Sequence, residues 1–207
     1  MKKNNNTTSE VGLMMFSTLV MQFNLKITCP NLRGNILKEV RKWIKKDSGI
    51  VRSNMGGWHS KITHEGALGS LIHIIADEYA PIFAKAMGWQ LKDRKFFSEG
   101  AWANVNPPGA SNISHVHSNS DLSAIYYVET HGPEQGPLIF CDPRAGAVQS
   151  HPLIEETNYI NAETIERVPQ DHDLVIFPSW LPHRVALNKS KKRRISVAVN
   201  FNVGMVK

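Results

Sequence analysis

Two styles of hydrophobic patterning divide the chain. Between residues 30 and 95, apolar side chains recur every three or four positions. Leu32, Ile36, Val40, Trp43 and Ile44 form one stripe among Lys38, Glu39, Arg41, Lys42 and Lys45, with Gly49 just beyond. This is the period of an amphipathic helix followed by a helix stop. Leu68, Leu71, Ile72, Ile75, Tyr79, Ile82, Phe83 and Ala86 form a second stripe, ended by Gly88. Pro81 lies within it and is expected to kink or divide the helix, since proline lacks an N–H and crowds the preceding turn. The Gly-rich polar stretch from Ser53 to Ser60 reads as a loop. From residue 96 the pattern changes to short apolar runs bounded by Gly, Pro, Asn and Asp. Residues 124–128, 138–140, 174–177 and 195–201 read as strands. Residues 16–25 read as a first strand, and 1–10, polar from Asn4 to Glu10, as a disordered tail. Helices grouped ahead of many short strands predict an α+β, mainly β fold. The expectation is a sandwich or jelly roll with the helices packed on one sheet.

The last apolar run alternates in an informative way. Ile195, Val197, Val199 and Phe201 share one face, while Arg194, Ser196, Ala198 and Asn200 share the other. A polar face beside a packed apolar one suits a strand lining a binding cavity. Its first residue, arginine, is shaped to hold a carboxylate through two parallel hydrogen bonds. A polar face turned simply to water is the alternative.

Composition narrows the classes. The 207 residues are 42% hydrophobic and 20% charged, enough for one well-buried core and unlike a collagen, a coiled coil or a disordered chain. No apolar run is long enough to span a membrane. The N-terminal stretch lacks the dense apolar centre and cleavage site of a signal peptide. The two cysteines, Cys29 and Cys141, are too few for a disulfide framework or a thiolate-only metal site. They fit a reducing compartment, and a cytoplasmic location is expected. The formal net charge is +6, and five of the six residues from Lys189 to Arg194 are basic. Without interleaved aromatics or a nucleic-acid module, that run reads as a solvated turn and argues against nucleic acid as a partner.

Histidine is the residue type that points to chemistry: there are nine. His115-Val116-His117 places two imidazoles on one face of an extended segment, where they can share a metal. His183 follows the apolar run Asp173–Pro178 and a turn stiffened by Pro178 and Pro182, so a strand delivers it at a defined place. Each piece alone also reads as a surface histidine.

The order His-x-His, a distant His, then Arg-x-Ser opening a strand eleven residues later resembles the Fe(II)/2-oxoglutarate-dependent dioxygenase superfamily. More narrowly it resembles a small prolyl-hydroxylase-related oxygenase family. The matching stretches are residues 56–60 (GGWHS), 114–117 (SHVH), 123–128 (SAIYYV), 177–183 (FPSWLPH) and 194–201 (RISVAVNF). The resemblance implies a double-stranded β-helix (jelly roll) making one oxygenase domain of residues 11–207. It implies Fe(II) and 2-oxoglutarate as cofactors, with O2 as co-substrate. His115, His117 and His183 become the metal ligands, with no catalytic residue beyond them. Arg194 receives the distal carboxylate of 2-oxoglutarate, beside Ser196. Tyr127 matches a tyrosine that helps bind that carboxylate, while Tyr126 points to the opposite face. Asn104 and Asn200 face the co-substrate or the cavity beside it. The implied reaction hydroxylates an amino-acid or peptidyl substrate with succinate and CO2 as co-products.

The wider superfamily carries a carboxylate where this chain has His117. A neutral triad leaves the metal one unit more positive, which raises its reduction potential. Asp121, the nearest carboxylate in sequence, is an alternative ligand or a hydrogen-bond acceptor behind one. Two other functions compete with the oxygenase. A cupin-like metal-binding jelly roll without 2-oxoglutarate chemistry uses the histidines but not Arg194. A binding module using the basic turn leaves the histidines idle.

Overall fold

The computed structural model describes residues 12–149 and 152–206. The expected tail, 1–10, lies outside them. Among the described residues, eleven strands form two antiparallel sheets. The larger contains β1 (Met21–Asn24), β3 (Trp58–His59), β4 (Arg94–Asn106), β6 (Leu122–Glu129), β9 (Asp173–Pro178) and β11 (Arg194–Met205), in the order β1-β9-β6-β11-β4-β3. The smaller contains β2 (Asn54–Met55), β5 (Ser111–His115), β7 (Leu138–Cys141), β8 (Thr164–Arg167) and β10 (His183–Val185), in the order β2-β5-β10-β7-β8. Apart from β3–β4 and β7–β8, neighbouring strands are not consecutive in the sequence, as a jelly roll requires.

The helices cover one face of the larger sheet, as expected. Helix α1 (Leu32–Ile44) buries Leu32, Ile36, Leu37 and Val40. The second stripe divides at Pro81. Helix α2 (Gly66–Ile74) passes through a π-helical turn, Ile75–Tyr79, into α3 (Ala80–Ala86), with Pro81 in its first turn. There the missing N–H leaves no helical hydrogen bond broken. Glu39 of α1 accepts the backbone N–H of Ala67 at 2.9 Å, an anionic cap on the start of α2. These helices pack on Ile195, Val197, Val199 and Phe201 of β11, with Tyr126 of β6. The opposite face of the sheet meets the smaller sheet through Ile125, Tyr127, Leu138, Phe140, Val175, Phe177 and Ala198. Alternation along β11 thus separates a helix-covered core from the interior of the roll.

Two expected boundaries need correction. Of residues 16–25, only Met21–Asn24 are strand, because β9 offers partners only from Asp173 to Ile176. Phe16 is exposed, with φ 56°. The expected loop at 53–60 contains β2 and β3, which add short edges to the two sheets against β5 and β4.

Candidate metal centre

The three histidines arrive from two directions and meet. His115 ends β5 and pairs across the ladder with His183, the first residue of β10. His117 lies just past β5, its backbone N–H held by the carbonyl of Ser179 at 3.0 Å. One ring nitrogen from each lies within 4.8 Å of the others. Ring centroids are 4.4 Å apart for His115 and His183, 5.0 Å for His115 and His117, and 5.1 Å for His117 and His183.

Hydrogen bonds fix which nitrogen is offered. Nδ1 of His115 lies 2.8 Å from the carbonyl of Ile113, and Nδ1 of His183 lies 2.9 Å from that of Leu181. A carbonyl only accepts, so each Nδ1 carries the proton and each Nε2 keeps its lone pair. Electrostatics keep two of the three rings neutral. Burial, then the neighbouring His183 and His115, lower the pKa of His117 to about 3. Burial lowers that of His183 to about 4; its bond to Leu181 opposes the shift and His115 adds to it. Neutral imidazoles with converging lone pairs are what a transition-metal ion needs.

Asp121 takes no part in the cluster. Its carboxylate accepts the backbone N–H of Val203 at 2.8 Å, and its own N–H bonds to the carbonyl of Phe201. It ties the start of β6 to β11, away from the clustered rings.

The histidines line a cavity of about 490 Å³ between the sheets. Arg194, Ser196, Ala198 and Asn200 line it too, so the face that alternation assigned to the interior is there. Arg194 is 2% exposed, and its Nε and Nη2 have no hydrogen-bond partner. Tyr127 is fully buried behind it, its ring centroid 5.0 Å from the guanidinium carbon, and its hydroxyl is also unpartnered. Burial raises the Tyr127 pKa, and the Arg194 charge pulls it part of the way back. Asn104 faces the cavity opposite Ser196 in the β4–β11 ladder. Asn200 accepts a hydrogen bond from Ser123 at 2.9 Å. The basic run separates by burial: Lys189, Lys191 and Lys192 are exposed in the turn, and Arg194 is inside.

The sequence pattern does not single out Arg52, Glu99 or Trp102 of the same cavity, and gives His59 no role. The indole of Trp102 lies between His59, at 5.8 Å, and His117, at 5.9 Å. His59 is held neutral by burial, with its bond to Ser60 opposing and the Arg52 charge adding to the shift. Strand parity would have found Trp102, which opposes Ala198 on β11, had residues 94–106 read as a strand.

The sequence model of the family described as "putative 2OG-Fe(II) oxygenase" matches residues 100–200. That stretch, just under half of the chain, includes all three histidines and Arg194, and over it the chain matches the 2OG-Fe(II) oxygenase family, an oxidoreductase class. No curated protein matches the sequence. Among solved structures, a Pseudomonas putida prolyl-4-hydroxylase is similar at TM-score 0.58 and 16% identity, covering 90% of this chain and 93% of that one. HygX from Streptomyces hygroscopicus, solved with nickel, 2-oxoglutarate and hygromycin B bound, gives TM-score 0.59 and 9% identity over 89% and 83% of the two chains. A Trichoplax adhaerens prolyl hydroxylase in complex with a hypoxia inducible factor peptide fragment gives 0.58 and 13% over 88% and 82%. At these identities the likeness establishes the double-stranded β-helix fold.

Proposed function

We propose that the protein is a non-haem Fe(II)/2-oxoglutarate-dependent dioxygenase that hydroxylates an amino-acid or peptidyl substrate, with succinate and CO2 as co-products. His115, His117 and His183 hold the iron, and Arg194 holds the distal carboxylate of 2-oxoglutarate. One observation carries this reading: three clustered imidazoles share a cavity with a buried guanidinium that has two unpartnered nitrogens. Burying an unpaired charge costs several kcal/mol. A dicarboxylate reaching from the histidines to Arg194 removes that cost. HygX, with nickel and 2-oxoglutarate bound on the same fold, supports it.

When bound, iron and 2-oxoglutarate together with O2 supply the oxidising power to hydroxylate a C–H bond. The chain does the rest. The carbonyls of Ile113 and Leu181 orient two of the ligand rings. Arg194 offers a planar fork, with Ser196, Asn104 and the Tyr127 hydroxyl around it and Asn200 farther along β11. Ile125, Val185 and Trp102 add apolar lining to the same cavity, which strengthens charged hydrogen bonds made in it. The prolyl hydroxylase neighbours, one with a peptide bound, support an amino-acid or peptidyl substrate. Residues 11–207 act as one oxygenase domain in this reading. Free Cys29 and Cys141 fit a cytoplasmic setting, and among the described residues no helix is long and apolar enough to cross a membrane. A cupin-like metal protein without 2-oxoglutarate leaves the buried Arg194 without a purpose.

Anaerobic titration with Fe(II), with and without 2-oxoglutarate, is the test. A visible charge-transfer band that needs both is expected, followed by succinate formation on admitting O2. Iron binding that is indifferent to 2-oxoglutarate would return the protein to the cupin-like class.

A further inference from the structure

The cavity holds a second set of polar groups that metal and co-substrate leave unused. His59, on β3, is 6% exposed and lines the cavity. Its Nδ1 lies 2.6 Å from the carbonyl of Ser60, so Nδ1 carries the proton and Nε2 is an acceptor. The ring lies flat against Trp102, at an interplanar angle of 10°. Beyond Trp102 stands His117, so His59 is one indole removed from the triad.

Two charged residues share the cavity with it. Arg52 and Glu99 both line the cavity, and among the described residues neither side chain has an ion-pair partner. The placement of Glu99 is a built feature. Glu99 and Trp102 are three apart, so plain alternation would turn them to opposite faces of β4. The β4–β11 register shifts between Val199 and Phe201, opposite Gly100, which has φ 119°. A side chain at Gly100 would strike Ile62. This bulge inserts a residue and brings both Glu99 and Trp102 to the cavity. Arg52 approaches from the segment leading into β2, close enough for its charge to act on the His59 ring.

We infer that this part of the cavity binds a free α-amino acid, with Arg52 on its carboxylate, His59 Nε2 and Glu99 on its ammonium, and Trp102 guiding its side chain toward the three histidines. The assignment rests on the oxygenase reading for its chemistry, and on Arg52, His59 and Glu99 for recognition. A free amino acid carries an anion and a cation on one carbon, matching a cavity that offers both a cation and acceptors. A residue inside a peptide carries neither charge, and would leave Arg52 and Glu99 unmatched. Size agrees: about 490 Å³ shared with 2-oxoglutarate leaves room for a small molecule.

The experiment is saturation-transfer NMR and calorimetry on the full chain with Zn(II) and 2-oxoglutarate, a combination that does not turn over. The twenty common L-amino acids are tested singly, then the N-acetyl and methyl-ester derivatives of those that bind. At least one free amino acid is expected to bind, with each blocked derivative weaker by about tenfold or more, the loss of one charge-assisted contact. Arg52→Gln and Glu99→Gln should each weaken binding to a similar degree; both residues are exposed at the cavity rim, so the variants fold. The affinity for 2-oxoglutarate should stay unchanged in both. Failure of every free amino acid, equal binding of blocked derivatives, or indifference to both substitutions overturns the inference. The oxygenase reading is judged apart: if metal and 2-oxoglutarate fail to bind while an amino acid binds with the stated dependence, the oxygenase falls and this site stands.

Discussion

Removing Arg194 should move stability and co-substrate affinity in opposite directions. In the ligand-free protein the guanidinium is 2% exposed, with Nε and Nη2 unpartnered and the Tyr127 ring, 5.0 Å away, as a partial offset to the burial. A cation over an aromatic ring recovers about 0.5–2 kcal/mol, less than the several kcal/mol that burying an unpaired charge costs. Arg194→Met keeps most of the volume and removes the charge. It should therefore raise the melting temperature of the ligand-free protein by a few degrees, at roughly 2–4 °C per kcal/mol for a chain of this size. Two charge-assisted hydrogen bonds to the carboxylate, about 1.5–3 kcal/mol each, disappear with it, so 2-oxoglutarate affinity should fall by about a hundredfold or more. Arg194→Lys keeps the charge and loses the fork, and should fall between, with metal binding intact. Arg193→Ala is the control: its Nε is 3.7 Å from Glu129 and its side chain is 38% exposed, a surface pair with little energy to lose. The assays are thermal melting without ligand and anaerobic calorimetry with 2-oxoglutarate. Equal, small losses of affinity in Arg193→Ala and Arg194→Met would refute the reasoning and remove the co-substrate from this cavity.

Four further outcomes follow from the same geometry. His117 and His183 hold pKa values near 3 and 4 against 6.5 when exposed, so the unfolded chain binds more protons in between. The stability they protect is complete above pH 6.5 and is lost as pH falls toward 4, by up to about 1.4 kcal/mol per pH unit per histidine; melting curves of wild type and His117→Gln should diverge there, the variant being less sensitive. Asp121→Asn should leave metal affinity within about twofold, because the carboxylate holds only the Val203 N–H, whereas His117→Ala should reduce metal affinity at least tenfold by calorimetry. Metal binding should quench tryptophan emission, and Trp102→Phe should remove most of that change, since Trp102 is 5.9 Å from His117. Glu39→Ala should cost about 1 kcal/mol in urea unfolding by uncapping α2, without altering metal affinity.

Where sequence and structure agree, a single physical rule decides the outcome. In β11 one face must meet the helices and the other the interior, so large apolar residues alternate with polar or small ones from Arg194 to Asn200. The stripe of α1 is legible for the same reason, because one helix face is buried and the other is wet. β4 is opaque because two rules compete in it. Its outer half, Arg94 to Glu99, is largely exposed, and the bulge at Gly100 resets the alternation before Trp102. β10 is only three residues long, too short to show any period, yet it carries His183.

The choice between His117 and Asp121 shows what spacing decides and what it leaves open. Period two puts His115 and His117 on one side of an extended segment, and the bond from the His117 N–H to Ser179 continues that geometry past the end of β5. Asp121 follows Asn119, whose φ is 65°, so the chain has turned before reaching it. That turn points the carboxylate at the backbone of β11, where it finds Val203. A backbone reversal is invisible to periodicity, yet it decides that the clustered donors are three histidines, with the Asp121 carboxylate turned away. The charge balance of the site follows. With no carboxylate among the ligands, the negative charge that offsets a divalent metal and Arg194 must come from the co-substrate, so metal and 2-oxoglutarate are expected to bind cooperatively, each tightening the other by the same factor.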